Sequence, residues 1–144
     1  MPSRRVLPVF PLLPVRERLG WLLAVLAATA VLGLGLSKNV YFEPTGEALR
    51  EAEDGLWLAR AGCTALVGLV LLASWRGAPA WAWAPVLSAP VVSGGLLETW
   101  PGSLFPQLTF LVVGPLTALG GLAGAVVRWR PRRRHPTGAV GVSA

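Results

Sequence analysis

Reactive side chains are scarce in this chain. Of its 144 residues 14% are charged, and there is one cysteine, one histidine, one tyrosine and one methionine. A lone Cys63 excludes an internal disulfide, a CxxC redox pair and a thiolate metal site. The single His135 lies near the C-terminus, outside every apolar run, so haem held between two histidines of a bundle is excluded. There is no HExxH, and no Ser–His or Cys–His pair at a common depth, which leaves no familiar catalytic constellation. No catalytic residue, cofactor or metal ligand is therefore expected.

What remains is apolar. Hydrophobic residues make up 53% of the chain and the mean hydropathy is +0.58. A helix needs about 20 mostly apolar residues to cross about 30 Å of hydrocarbon. Four runs qualify: 19–37, 56–75, 80–97 and 106–127. Inside lipid a backbone must satisfy its own hydrogen bonds, so each run reads as a helix. The fold class expected is all-α, an integral membrane four-helix transmembrane bundle forming one domain over 19–127. A Pro/Arg-rich segment, 1–18, precedes it, and a basic, disordered tail, 128–144, follows. The Ala28-Thr29-Ala30 triplet sits inside the first run rather than after it, so that run is expected to remain as a span and not to be cleaved.

Tryptophan and tyrosine favour the bilayer–water boundary. All seven tryptophans (Trp21, Trp57, Trp75, Trp81, Trp83, Trp100 and Trp129) stand near span ends, and Tyr41 follows the first span. Orientation is read from basic residues in short loops. Arg4, Arg5, Arg16, Arg18, Arg76, Arg128, Arg130, Arg132, Arg133 and Arg134 fall on one side. Lys38, Arg50, Arg60 and six of the seven acids fall on the other. Both termini are accordingly expected in the cytoplasm. The arginine-, alanine- and glycine-rich composition suggests a GC-rich bacterial genome, and hence the inner (plasma) membrane.

The third run is the weakest, because Pro85, Pro90 and Gly94-Gly95 break or kink helices. A re-entrant loop would, however, place the terminal arginines outside. Pro115 is expected to kink the fourth span. Within the outer loop, 38–55, Thr45 reads as an N-cap, and Leu49, Ala52 and Leu56 carry the helix on into the second span. Glu47, Glu51 and Asp54 give that helix an acidic stripe, read as a solvated face. Pro8, Pro11 and Pro14 recur at about the three-residue period of a polyproline helix, on a segment read as an apolar lead-in along the membrane surface.

Function in membranes usually shows as ionisable groups held in hydrocarbon. Here only Arg60 and Glu98 approach it, at the same outer level, where an ion pair is geometrically open to them. Small residues form the clearer pattern. Gly114, Ala118, Gly121 and Ala125 share one face of the fourth span, Gly120 and Gly124 an adjacent one, and Ala61, Ala65 and Gly68 a face of the second. Such faces let helix backbones approach closely, within the bundle or against a partner. Arg128, Arg130, Arg132, Arg133 and Arg134 are candidate contacts to anionic lipid head groups. Nucleic-acid binding is not expected, since no reading fold or aromatic platform accompanies the charge.

In size the chain is similar to the small multidrug resistance transporters. That family relies on a glutamate embedded in its first span, and 19–37 contains none. The function expected is that of a non-enzymatic accessory or structural subunit, with the bilayer and a membrane-protein partner or homo-oligomer as its contacts. The alternative is a small oligomeric transporter or channel for a neutral or apolar solute.

Overall fold

The computed structural model describes residues 15–39 and 46–127. The proline-rich lead-in, the Thr45 cap, Trp129 and the arginines of the 128–144 tail lie outside the described residues. Four helices are long and apolar enough to cross a membrane: α1 (Val15–Lys38), α2 (Gly46–Trp75), α3 (Ala80–Thr99) and α4 (Phe105–Val126). The described part of the fold is helical throughout.

Each helix outruns or closely matches its apolar run. α1 begins at Val15, so Arg16, Glu17 and Arg18 fall in its first turn, the first two exposed and Arg18 half-buried. α2 is one 30-residue helix that carries the acidic stripe of the outer loop directly into the span. Its end is set by Gly77, whose φ of 84° is open to a residue without a Cβ. The Gly77 N–H donates to Ser74 O (3.1 Å) and the Ala78 N–H to Ala73 O (2.9 Å), a Schellman arrangement that satisfies the last carbonyls. Pro79 then prevents continuation.

α3 crosses as a helix of changing pitch. After one α-turn it tightens to a 3₁₀ turn over Ala84–Leu87, then widens to a π-turn over Pro90–Gly94 before ending as α-helix. The cause is local: Pro85 and Pro90 lack the N–H that a regular ladder requires, so the hydrogen-bond spacing shifts around them. α4 continues through Pro115 without a break in its helical assignment. Between α3 and α4, Trp100-Pro101-Gly102-Ser103 turns with Pro second and Gly third (φ 76°), the preferences of a type II turn.

Packing follows from missing side chains. α1 packs most extensively on α2, then on α4. A Cβ added to Gly62 would stand 2.6 Å from Leu32 N and 2.8 Å from its Cα. One on Gly55 would meet Gly35 O at 2.8 Å, and one on Gly35 would collide with the Ala59 backbone. These glycines set the closeness of the α1–α2 crossing. Val25, Leu32, Leu36, Leu66 and Val70 then interlock to form the core, joined by Val86 and Leu97 from α3.

Candidate functional site

Three places gather side chains that do more than pack. The first is at the end of the bundle where α1 stops and the α3–α4 turn lies. Asn39, 4% exposed, closes α1. Its Nδ2 donates to Ala52 O of α2 (2.9 Å), and its Oδ1 accepts from the Gly102 N–H in the α3–α4 turn (3.0 Å). Beside it Gln107 Nε2 donates to Leu36 O (2.6 Å). One end of the bundle is thus tied together through two amides.

The second is a crevice of about 440 Å³ between α2 and the unwound part of α3, lined by Arg60, Cys63, Thr64, Pro90, Gly94 and Glu98 among others. The structure brings Arg60 and Glu98 together in a two-pronged pair, Nε to Oε1 at 2.8 Å and Nη2 to Oε2 at 2.9 Å. Both side chains are about half exposed (46% and 53%), so the pair bridges α2 to α3 at the rim. Each group occupies the other, which leaves neither poised for acid–base work. The Cys63 thiol lies against Gly94, where a Cβ would stand 2.8 Å from the sulfur.

The hydroxyls of the spans are spent locally. Thr29 donates to Val25 O and Thr64 to Arg60 O. Ser88 and Thr117 approach at 3.1 Å, and Thr117 Oγ1 also accepts from the Ala89 N–H (3.3 Å). Ser93 and Thr109 approach at 3.2 Å. These contacts hold α3 on α4, each contributing about 1 kcal/mol in a membrane setting.

The third place is a pair of connected clefts along the α1–α2 surface. The larger, about 590 Å³, is lined by Ala24, Ala27, Val31, Ala61, Ala65 and Gly68, with Ala28, Gly62, Leu69 and Leu72. The smaller, about 290 Å³, is reached past Ala24, Leu69 and Leu72. It is lined by Glu17, Arg18, Gly20, Trp21, Arg76 and Gly124, where α1 begins and α2 ends.

The structure separates the small-residue faces singled out from sequence. In α4, Gly114, Gly120, Gly121, Gly124 and Ala125 are buried and Ala118 is half-buried. Gly121 and Gly124 make room for Val25 and Trp21 of α1, and Gly120 for Pro85 and Val86 of α3. In α2, Ala61, Ala65 and Gly68 are exposed, and a Cβ on Gly68 meets nothing within 4 Å. The α2 face that packs on α1 is Gly55, Ala59, Gly62 and Leu66, a stripe with the same spacing that sequence reasoning passed over. Asn39 was passed over as well, because its partners are far away in the chain.

Trp21 departs from the boundary pattern expected of it. It is 8% exposed, with its indole Nε1 donating to Gly121 O at 3.1 Å. Trp57, Trp75, Trp81 and Trp100 do face outward. The head-group contacts expected of Arg128, Arg130, Arg132, Arg133 and Arg134 fall outside the described residues. Among the described residues no three His, Cys, Asp or Glu side chains gather as a metal site would require. No protein-family model, curated protein or solved structure matches the chain.

Proposed function

We propose that this chain is a non-enzymatic accessory or structural protein of a bacterial inner membrane, with both termini cytoplasmic, that meets a partner helix along α2. The observation that carries this reading is a contrast between two faces of one helix. Gly55, Ala59 and Gly62 are consumed by α1, whereas Ala61, Ala65 and Gly68 remain uncovered. Small residues facing lipid give up the contacts that larger side chains would make there, and they permit close approach of another helix. The hydroxyls of Thr29, Thr64, Ser88, Ser93, Thr109 and Thr117 are meanwhile committed to internal hydrogen bonds, leaving a surface for packing. The arginine asymmetry supports the orientation, which a reporter active only outside the cytoplasm and fused after His135 would overturn if it were active.

A photo-crosslinking residue placed at Ala65 in cells should give one discrete product, and Gly68→Leu should abolish it while leaving the unfolding temperature unchanged. The same probe at Leu111, on the outward face of α4, should give none. Only monomer at both positions would sink the reading. A product of twice the chain mass would make the partner a second copy.

A second reading, a transporter for a neutral or apolar solute, is favoured by one feature: the crevice beside the unwound turn of α3. Helices broken at Pro and Gly line substrate paths in many transporters. Solute flux in reconstituted vesicles, lost on substituting Ser88 or Ser93, separates it from the first.

A further inference from the structure

We infer that the cleft between the start of α1 and the end of α2 is a binding site for one anionic phospholipid. The head group would sit between Arg18 and Arg76, and an acyl chain would lie past Gly20, Ala24, Leu69 and Leu72. The inference rests on the membrane reading of the bundle, but not on α2 having a protein partner.

Charge comes first. The smaller cleft is lined by two cations, Arg18 and Arg76, and one carboxylate, Glu17. Among the described residues neither arginine has an ion-pair partner, the one such pair being Arg60–Glu98, with Arg60 midway along α2. The Arg18 Nε is buried and has no hydrogen-bond acceptor among the described residues. A guanidinium N–H without an acceptor is costly, and a turn of this half-buried side chain toward the cleft would offer its planar fork to a phosphate oxygen.

Shape is the second argument. Glu17, Gly20, Ala24, Ala27 and Val31 follow one another at spacings of three and four along α1, as Ala61, Ala65, Gly68, Leu72 and Arg76 do along α2. The two stripes run side by side, and the connected clefts lie between them. At about 1.5 Å per residue, Arg18 to Ala28 spans about 15 Å, one leaflet of a hydrocarbon core about 30 Å thick. The furrow therefore begins at a charged rim and ends near mid-membrane, as a lipid does. A soluble anion would use the rim and leave the apolar cleft empty; a protein helix on Ala61, Ala65 and Gly68 would leave both guanidinium groups unanswered.

The full chain in a neutral detergent is titrated with phosphatidylglycerol, with phosphatidylcholine of the same chains, and with glycerol phosphate, and retained adducts are counted by native mass spectrometry. One phosphatidylglycerol should be retained per chain, in at least tenfold preference to phosphatidylcholine, and glycerol phosphate should not displace it. The double variant Arg18→Gln/Arg76→Gln should lower that preference by about tenfold or more. Gly20→Leu keeps every charge and fills the cleft. A Cβ there meets nothing within 4 Å, so the helix tolerates it, and retention should fall as far. Arg50→Gln at the outer end should change nothing. Equal retention of the two lipids, displacement by glycerol phosphate, or retention unaffected by Gly20→Leu would each overturn the site. Ala61→Leu provides the separation from the partner reading: it lies on the partner face beyond the stretch from Arg18 to Ala28, so it should abolish the α2 crosslink and leave the lipid in place.

Discussion

Gly62→Leu should be among the most damaging substitutions in the molecule, lowering stability by about 3 kcal/mol, the upper part of the range for overpacked cores. The reason is what stands opposite. The new Cβ would lie 2.6 Å from Leu32 N and 2.8 Å from Leu32 Cα and Cβ. Two of these atoms are backbone, so no rotamer change on α1 relieves the clash, and the helices must separate. Separation also withdraws Leu32, Leu36 and Leu66 from one another, all 1% exposed or less. Even Gly62→Ala should destabilise. Gly68→Ala, six residues on in the same helix, should cost nothing and gains up to about 1 kcal/mol of helix propensity. Unfolding in mild detergent followed by tryptophan fluorescence distinguishes them. Equal effects at Gly62 and Gly68 would contradict the described crossing.

That pair of glycines also marks where sequence reasoning stops. The four helices are legible because apolar runs of spanning length have few alternatives in lipid. The extension of α2 back to Gly46 is legible because Leu49, Ala52 and Leu56 keep helical spacing through the acidic loop. The Arg60–Glu98 pair is legible only as an option, since two charges at one depth on adjacent spans fit two separate boundary residues as well. The choice of packing face on α2 is not legible. The stripes 55-59-62-66 and 61-65-68 both satisfy close-packing spacing, and either reads as an interface. The decision lies in α1, where Gly35 and Leu32 offer backbone to one stripe alone. Trp21 follows the same logic. Its place near a span end suits a boundary residue, but Gly121 and Gly124, about a hundred positions away, open the space that draws it inward. The cleft with Arg18 and Arg76 was illegible for a related reason: both were counted as topogenic charge, and only the antiparallel pairing of α1 and α2 puts them in one place.

Asn39→Leu should loosen the end of the bundle where α1 stops while leaving its middle intact. The side chain amide reaches Ala52 O at 2.9 Å and accepts from Gly102 N–H at 3.0 Å, joining α1, α2 and the α3–α4 turn. Leucine has similar bulk and cannot make either bond. Losing two hydrogen bonds, with a turn N–H left unanswered, costs about 2–3 kcal/mol. The effect should be local, because the core contacts of Val25, Leu66 and Val70 lie toward the other end and do not depend on the amide. Amide hydrogen exchange is the discriminating measurement. Residues 100–104 should exchange faster in the variant, while α1 and α2 around Leu32 and Gly62 keep their protection. Asn39→Asp should behave similarly, although it retains an acceptor for Gly102, because its carboxylate would face the Ala52 carbonyl without a proton to donate. Uniform loss of protection along all four helices would mean that the amide organises the whole bundle. No change in the turn would mean that Asn39 does not hold it. The described geometry requires the intermediate result, a bundle whose packing is set by glycines at the α1–α2 crossing and whose end at Asn39 is tied by the amides of Asn39 and Gln107.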